Sequence, residues 1–207
     1  MTEPHNDTAD IAWLRTLAAE NARTPYRGGS VMVSAGLIYG AGSLLQWASL
    51  TGLVSRDLTG NGVQWLVATV LFLATLPILI WRMRRTAGVT TTANRVVSTV
   101  WGCVGWSIFV LFACMAIKDA RMGDGVDIGA LWLVPSIIMV FYALGWAVTA
   151  SLYGNGRLWW LSLGSFVAAA ALAALTGDAS LYLGYAAALF LLMALPGYLL
   201  MRVAKRG

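Results

Sequence analysis

Residues 158–203 read LWWLSLGSFVAAAALAALTGDASLYLGYAAALFLLMALPGYLLMRV, with a single interruption at Gly177-Asp178. As one helix this stretch would be roughly 69 Å long at 1.5 Å per residue, more than twice the ~30 Å of hydrocarbon in a bilayer. It must therefore fold back at Gly177-Asp178, giving two spans, 158–176 and 181–203. In lipid no water satisfies the backbone N–H and C=O groups, so each span must be a helix that satisfies its own.

Four more apolar runs precede this hairpin, at 30–53, 63–83, 96–117 and 128–152. Each is close to the ~20 residues that a membrane-crossing helix needs. The sequence thus predicts an all-α polytopic membrane protein, a bundle of six transmembrane helices over 30–203, with an N-terminal segment (1–29) and a short tail (204–207). Composition agrees. The chain is 59% hydrophobic and 11% charged, whereas about a quarter of residues are charged in soluble domains.

Lys and Arg set the expected orientation. With the N-terminus inside, the inner segments hold Arg15, Arg23, Arg27, Arg82, Arg84, Arg85, Arg95, Arg157, Arg202, Lys205 and Arg206. The outer loops hold Arg56, Lys118 and Arg121. Both termini are expected to be cytoplasmic. Arg outnumbers Lys twelve to two in an Ala- and Gly-rich chain, which suggests a bacterial gene and an inner-membrane location. Trp47, Trp65 and Trp132 fall toward the outer boundary, and Trp81, Trp101, Trp159 and Trp160 toward the inner one, as interfacial belts require. Trp106 falls near mid-span and Trp146 between the two.

The first 29 residues lack the basic start and apolar core of a signal peptide. Residues 10–22 instead read as a short amphipathic helix. Ile11, Trp13, Leu14, Leu17 and Ala18 share one half of it, and Arg15, Thr16 and Glu20 the other. Trp13, Leu14 and Leu17 are the candidate interaction arm, lying on membrane lipid, on the bundle, or on a protein partner.

Chemistry is constrained mostly by what the spans lack. None carries Asp, Glu or His at depth, and the single histidine is His5. Proton relays and ion-coupled pumps generally need such groups. No metal-binding, P-loop or acid–base motif is present, so no catalytic residue, metal or cofactor is assigned. Short loop clusters of charge between apolar spans do not form a nucleic-acid surface. Cys103 and Cys114 lie roughly 16 Å apart on one helix, too far for a disulfide.

Two polar stripes remain. Tyr39, Ser43 and Gln46 share a face of the first span beside Gly36 and Gly40. That combination suits either a small polar pocket or close helix packing. On the third span Thr99, Cys103, Ser107 and Cys114 fall on one side, with Trp106 adjoining. Tyr142, Trp146 and Thr149 share a face of the fourth, where the pairs Gly105-Trp106 and Gly145-Trp146 could bring the two spans together. The candidate ligand or packing residues are Tyr39, Ser43, Gln46, Ser107, Tyr142 and Trp146. Pro77, Pro135 and Pro196 fall within spans and can free a carbonyl.

The expected function is that of a non-enzymatic accessory, regulatory or interaction subunit, with a membrane or cytoplasmic protein partner. The alternative is a small transporter or channel for a neutral or apolar solute, lined by Tyr39, Gln46, Ser107 and Tyr142. A homodimer through the Gly36/Gly40 face is a further use of that signature.

Overall fold

A computed structural model describes residues 28–55, 62–85, 92–123 and 128–204. The candidate arm residues Trp13, Leu14 and Leu17 lie outside them. The helices are α1 (Gly29–Leu50), α2 (Val63–Arg85), α3 (Thr92–Met122), α4 (Ile128–Tyr153) and α5 (Gly156–Ala174). The last span is α6 (Ser180–Leu189), a π-helical turn (Phe190–Ala194) and α7 (Leu195–Ala204). Six helices are long and apolar enough to cross a membrane, and no strand occurs among the described residues. The chain is a multi-pass, all-α membrane protein.

The turns follow from local chemistry. Gly177, at φ +90°, adopts the left-handed conformation that ends α5, and Gly154, at φ +59°, does the same between α4 and α5. Asn155 caps α5 by accepting the Arg157 N–H at 3.0 Å, and Asp178 accepts the Ser180 N–H at 2.7 Å ahead of α6. With 31 residues, α3 is longer than its apolar run, because the helix continues through Arg95 and through Lys118–Arg121.

In lipid, helix association depends on packing and hydrogen bonds rather than on the hydrophobic effect. The buried face of α5 is Leu158, Ser162, Ser165, Ala169 and Leu172, alternating steps of four and three. Its small residues let α4 approach, and Ser162 Oγ donates to the Ala143 carbonyl at 2.8 Å. The inward face of α3 has the same spacing: Val97, Trp101, Val104, Ile108, Leu111 and Met115.

The helices form an arc. α2 rests on α1, α1 on the last span, that span on α5, α5 on α4, and α4 on α3. Although consecutive in the chain, α2 and α3 make no comparable contact with each other. The arc is therefore open on that side.

The tightest crossing is between α1 and the last span. A Cβ on Gly36 would lie 2.8 Å from the Ala194 nitrogen, and one on Gly40 would lie 2.5 Å from the Phe190 ring. Gly29 and Gly197 meet backbone to backbone in the same way. Of the uses open to the Gly36/Gly40 signature, packing within the chain is the one seen.

Pro196 accounts for the π turn. It has no N–H to offer the Leu192 carbonyl four residues back, and its ring would crowd that carbonyl in a regular helix. The ladder shifts register, and the Leu195 N–H reaches the Phe190 carbonyl, five residues back.

Candidate functional site

The polar side chains of the bundle collect along α1 and α4. Ser43 is fully buried and donates to the Tyr182 carbonyl at 2.7 Å, tying α1 to α6. One turn further along α1, Gln46 accepts from the Gln64 amide of α2. Gln64 Oε1 is buried without a partner, as is Ser136 Oγ on α4. Tyr39 stacks at a tilt on Phe72, with ring centroids 5.6 Å apart, and its hydroxyl reaches Thr69 Oγ1 at 3.5 Å. The face holding Tyr39, Ser43 and Gln46 is thus the seam that α1 presents to α2 and α6.

Around α4 the centre is aromatic. The Trp101 Nε1–H of α3 donates to Thr149 Oγ1 at 3.1 Å, and the Thr149 hydroxyl donates in turn to the Gly145 carbonyl at 2.7 Å. Trp101 lies against Gly145, where a Cβ would be 3.2 Å from the ring, and it also packs on Trp146 and Tyr142. Trp146 is fully buried and donates to the Leu192 carbonyl at 3.0 Å. Its indole thereby serves the acceptor that Pro196 leaves without its helical donor.

The third-span stripe points the other way. Thr99, Cys103, Ser107 and Cys114 are all exposed on the bundle surface. Cys103, Trp106 and Ser107 line a shallow apolar groove of about 510 Å³ with Phe141 of α4. Trp106 is 69% exposed, and a Cβ on Gly105 would meet nothing within 4 Å. The two Gly-Trp pairs therefore do not meet; α3 offers Trp101, one and a half turns away, to Gly145. Nor does the structure assemble Tyr39, Gln46, Ser107 and Tyr142 into one lining. Ser107 faces outward, while Tyr39 and Tyr142 belong to the interior.

Several tryptophans expected at the boundary are partly internal. Trp65 and Trp132 both pack on Tyr182, with centroids 6.3 and 5.4 Å away. Trp159 and Trp160 stay outward, and the Arg85 guanidinium sits 3.5 Å over the exposed Trp81 ring. At the end of the bundle that carries Gly154, the Tyr153 hydroxyl donates to Asn94 Oδ1, joining α4 to α3.

The sequence reading missed Gln64, Trp101 as an interior donor, and Tyr185. Gln64 had a usable signal, being a lone amide among apolar neighbours at the start of a span. Tyr185 had none, because its apolar helix gives no contrast between faces. Among the described residues, no cluster of His, Cys, Asp or Glu could hold a metal ion. No family model, curated protein or solved structure matches this chain.

Proposed function

We propose that the protein is a non-enzymatic accessory or interaction subunit of a bacterial inner membrane, with both termini cytoplasmic, that docks a partner's transmembrane helix on the outward faces of α2 and α3. The observation that carries this reading is the open arc, in which α2 packs mainly on α1, α3 mainly on α4, and the two make no comparable contact with each other. Around Gly102 and Gly105, α3 also presents bare backbone, a surface that a second helix can approach closely. Next to it, Trp106 and Phe109 form an exposed edge-to-face pair with centroids 5.7 Å apart. The candidate arm, Trp13, Leu14 and Leu17, is an added contact on the cytoplasmic side. The transporter alternative has less support, since its four named residues do not share a lining.

The test is photo-crosslinking in native membranes. A photoreactive residue at Trp106 or Leu71 is expected to capture one discrete protein, and the same residue at Val167 on α5 is not. Lipid adducts alone at all three positions would reject the reading.

A further inference from the structure

Two helices end on the same three-residue pattern. Ile78, Trp81 and Arg85 on α2, and Leu195, Tyr198 and Arg202 on α7, each place an aromatic three residues after an aliphatic and an arginine seven after it. At 3.6 residues per turn each trio spans only about 60° of its helix. All six side chains are exposed. In both trios the guanidinium folds back over the ring one turn before it. Arg85 lies 3.5 Å from the Trp81 ring centroid, and Arg202 lies 5.7 Å from that of Tyr198.

The trios sit at one level, on either side of the first turn of α1. Gly29 packs on Gly197 and Met201, the residues that precede Tyr198 and Arg202. On the other side, Ser34 Oγ lies 3.4 Å from Thr75 Oγ1. Since α1 and α2 run antiparallel, the roughly 9 Å from Thr75 to Trp81 carries α2 to the level where α1 begins. This is the end of the bundle that carries Gly154. The described residues offer the guanidiniums no carboxylate there, because Asp119 and Asp178 belong to the opposite end.

A guanidinium stacked on a ring is covered on one face and keeps its N–H edge for two oxygens of a phosphate. One and two turns nearer mid-span, the ring and the aliphatic side chain give exposed apolar surface on which hydrocarbon can lie. Phosphate at the boundary and hydrocarbon beneath it is the order of groups in a phospholipid. A soluble phosphate would use the arginine alone, and a zwitterionic headgroup brings a cation of its own toward it. We propose that the two trios are anchor sites for anionic phospholipid, one on each side of α1, with Arg85 and Arg202 binding the headgroup phosphates.

Arg157 is the natural control, being exposed at the same end but stacked on no ring among the described residues. The experiment is native mass spectrometry of the full chain in mild detergent, with phosphatidylglycerol or phosphatidylcholine of matched chains added. Phosphatidylglycerol is expected to be retained in preference, one molecule per site, and excess inorganic phosphate should not displace it. Arg85→Gln and Arg202→Gln should each weaken retention about fivefold, the worth of one arginine at an anionic membrane surface. Arg157→Gln should leave it unchanged, and lysine at positions 85 and 202 should restore it only in part. Equal retention of the two lipids would overturn the proposal. So would equal loss in Arg157→Gln, which would mean unspecific attraction by charge, or full rescue by lysine, which would remove the stacked guanidinium from the account. Displacement by inorganic phosphate would assign the arginines to a soluble anion and overturn the lipid site.

Discussion

Trp146 donates its indole N–H to the Leu192 carbonyl at 3.0 Å, across the contact between α4 and the last span. This is the carbonyl that Pro196, four residues on, cannot reach. A kinked span is thereby held by a donor from another helix, and the π turn beside it is the surface on which α1 packs. One hydrogen bond thus links the local defect to the tightest crossing in the bundle.

Trp146→Phe should remove that bond while keeping most of the ring volume. Loss of about 1 kcal/mol is expected, typical of a hydrogen bond between membrane helices. In a Pro196→Ala background the residue at 196 has its own N–H, so the same change should cost less than half as much. A double-mutant cycle by reversible unfolding in mixed micelles checks this. Equal costs in both backgrounds would separate the indole from the proline defect.

Glycines in α1 and α3 should behave oppositely. Gly36→Ala places a methyl 2.8 Å from the Ala194 backbone nitrogen, which cannot step aside. A loss of roughly 1–3 kcal/mol is expected from overpacking. Gly40→Ala meets the Phe190 ring instead, and Phe190→Leu should relieve much of its cost. Gly102→Ala and Gly105→Ala point into open space and should be neutral or slightly stabilising in the isolated chain. Thermal denaturation in one detergent ranks all four.

Cys103 and Cys114 are exposed on the outward side of α3. In membranes, a membrane-permeant apolar maleimide should label both, and a charged impermeant one should label neither. Reaction with the impermeant reagent at Cys103 would place a water-filled path along this stripe and revive the transporter alternative.

Asp178 lies in the turn between α5 and α6, outside the spans. The Ser180 backbone N–H, and secondarily its hydroxyl, hold the carboxyl below its usual range. A carboxyl depressed in the folded state adds stability above its unfolded pKa, and that contribution disappears as pH falls through the folded value. Asp178→Asn should therefore flatten the acid limb of a Tm-against-pH curve below about pH 4 and leave the limb near neutrality unchanged in slope.

The spans were legible because charge is confined to the connections between them, and the Gly177-Asp178 break left one solution for residues 158–203. The faces were far less legible. Every position of α3 from Val96 to Ile117 is apolar or weakly polar, so the inward seam through Trp101 had no polar side to contrast with. The polar contrast that α3 does carry, at Thr99, Cys103 and Ser107, faces outward. In lipid both faces of a helix meet apolar surroundings, and polarity stops marking the surface. Tyr39, Ser43 and Gln46 were readable because Gly36 and Gly40 marked the same side as a close approach. The π turn was half legible: Pro196 announced a freed carbonyl, while its donor, Trp146, lies 46 residues from Leu192 in sequence.

Whether this chain works beside another protein is read out by native mass spectrometry after gentle detergent extraction from its own membrane. A stoichiometric second protein should survive extraction, be weakened by Trp13→Ala with Leu17→Ala, and be lost when a bulky residue replaces Gly102 on α3. A chain recovered alone or only as a homodimer, from mild and harsh detergents alike, would contradict it.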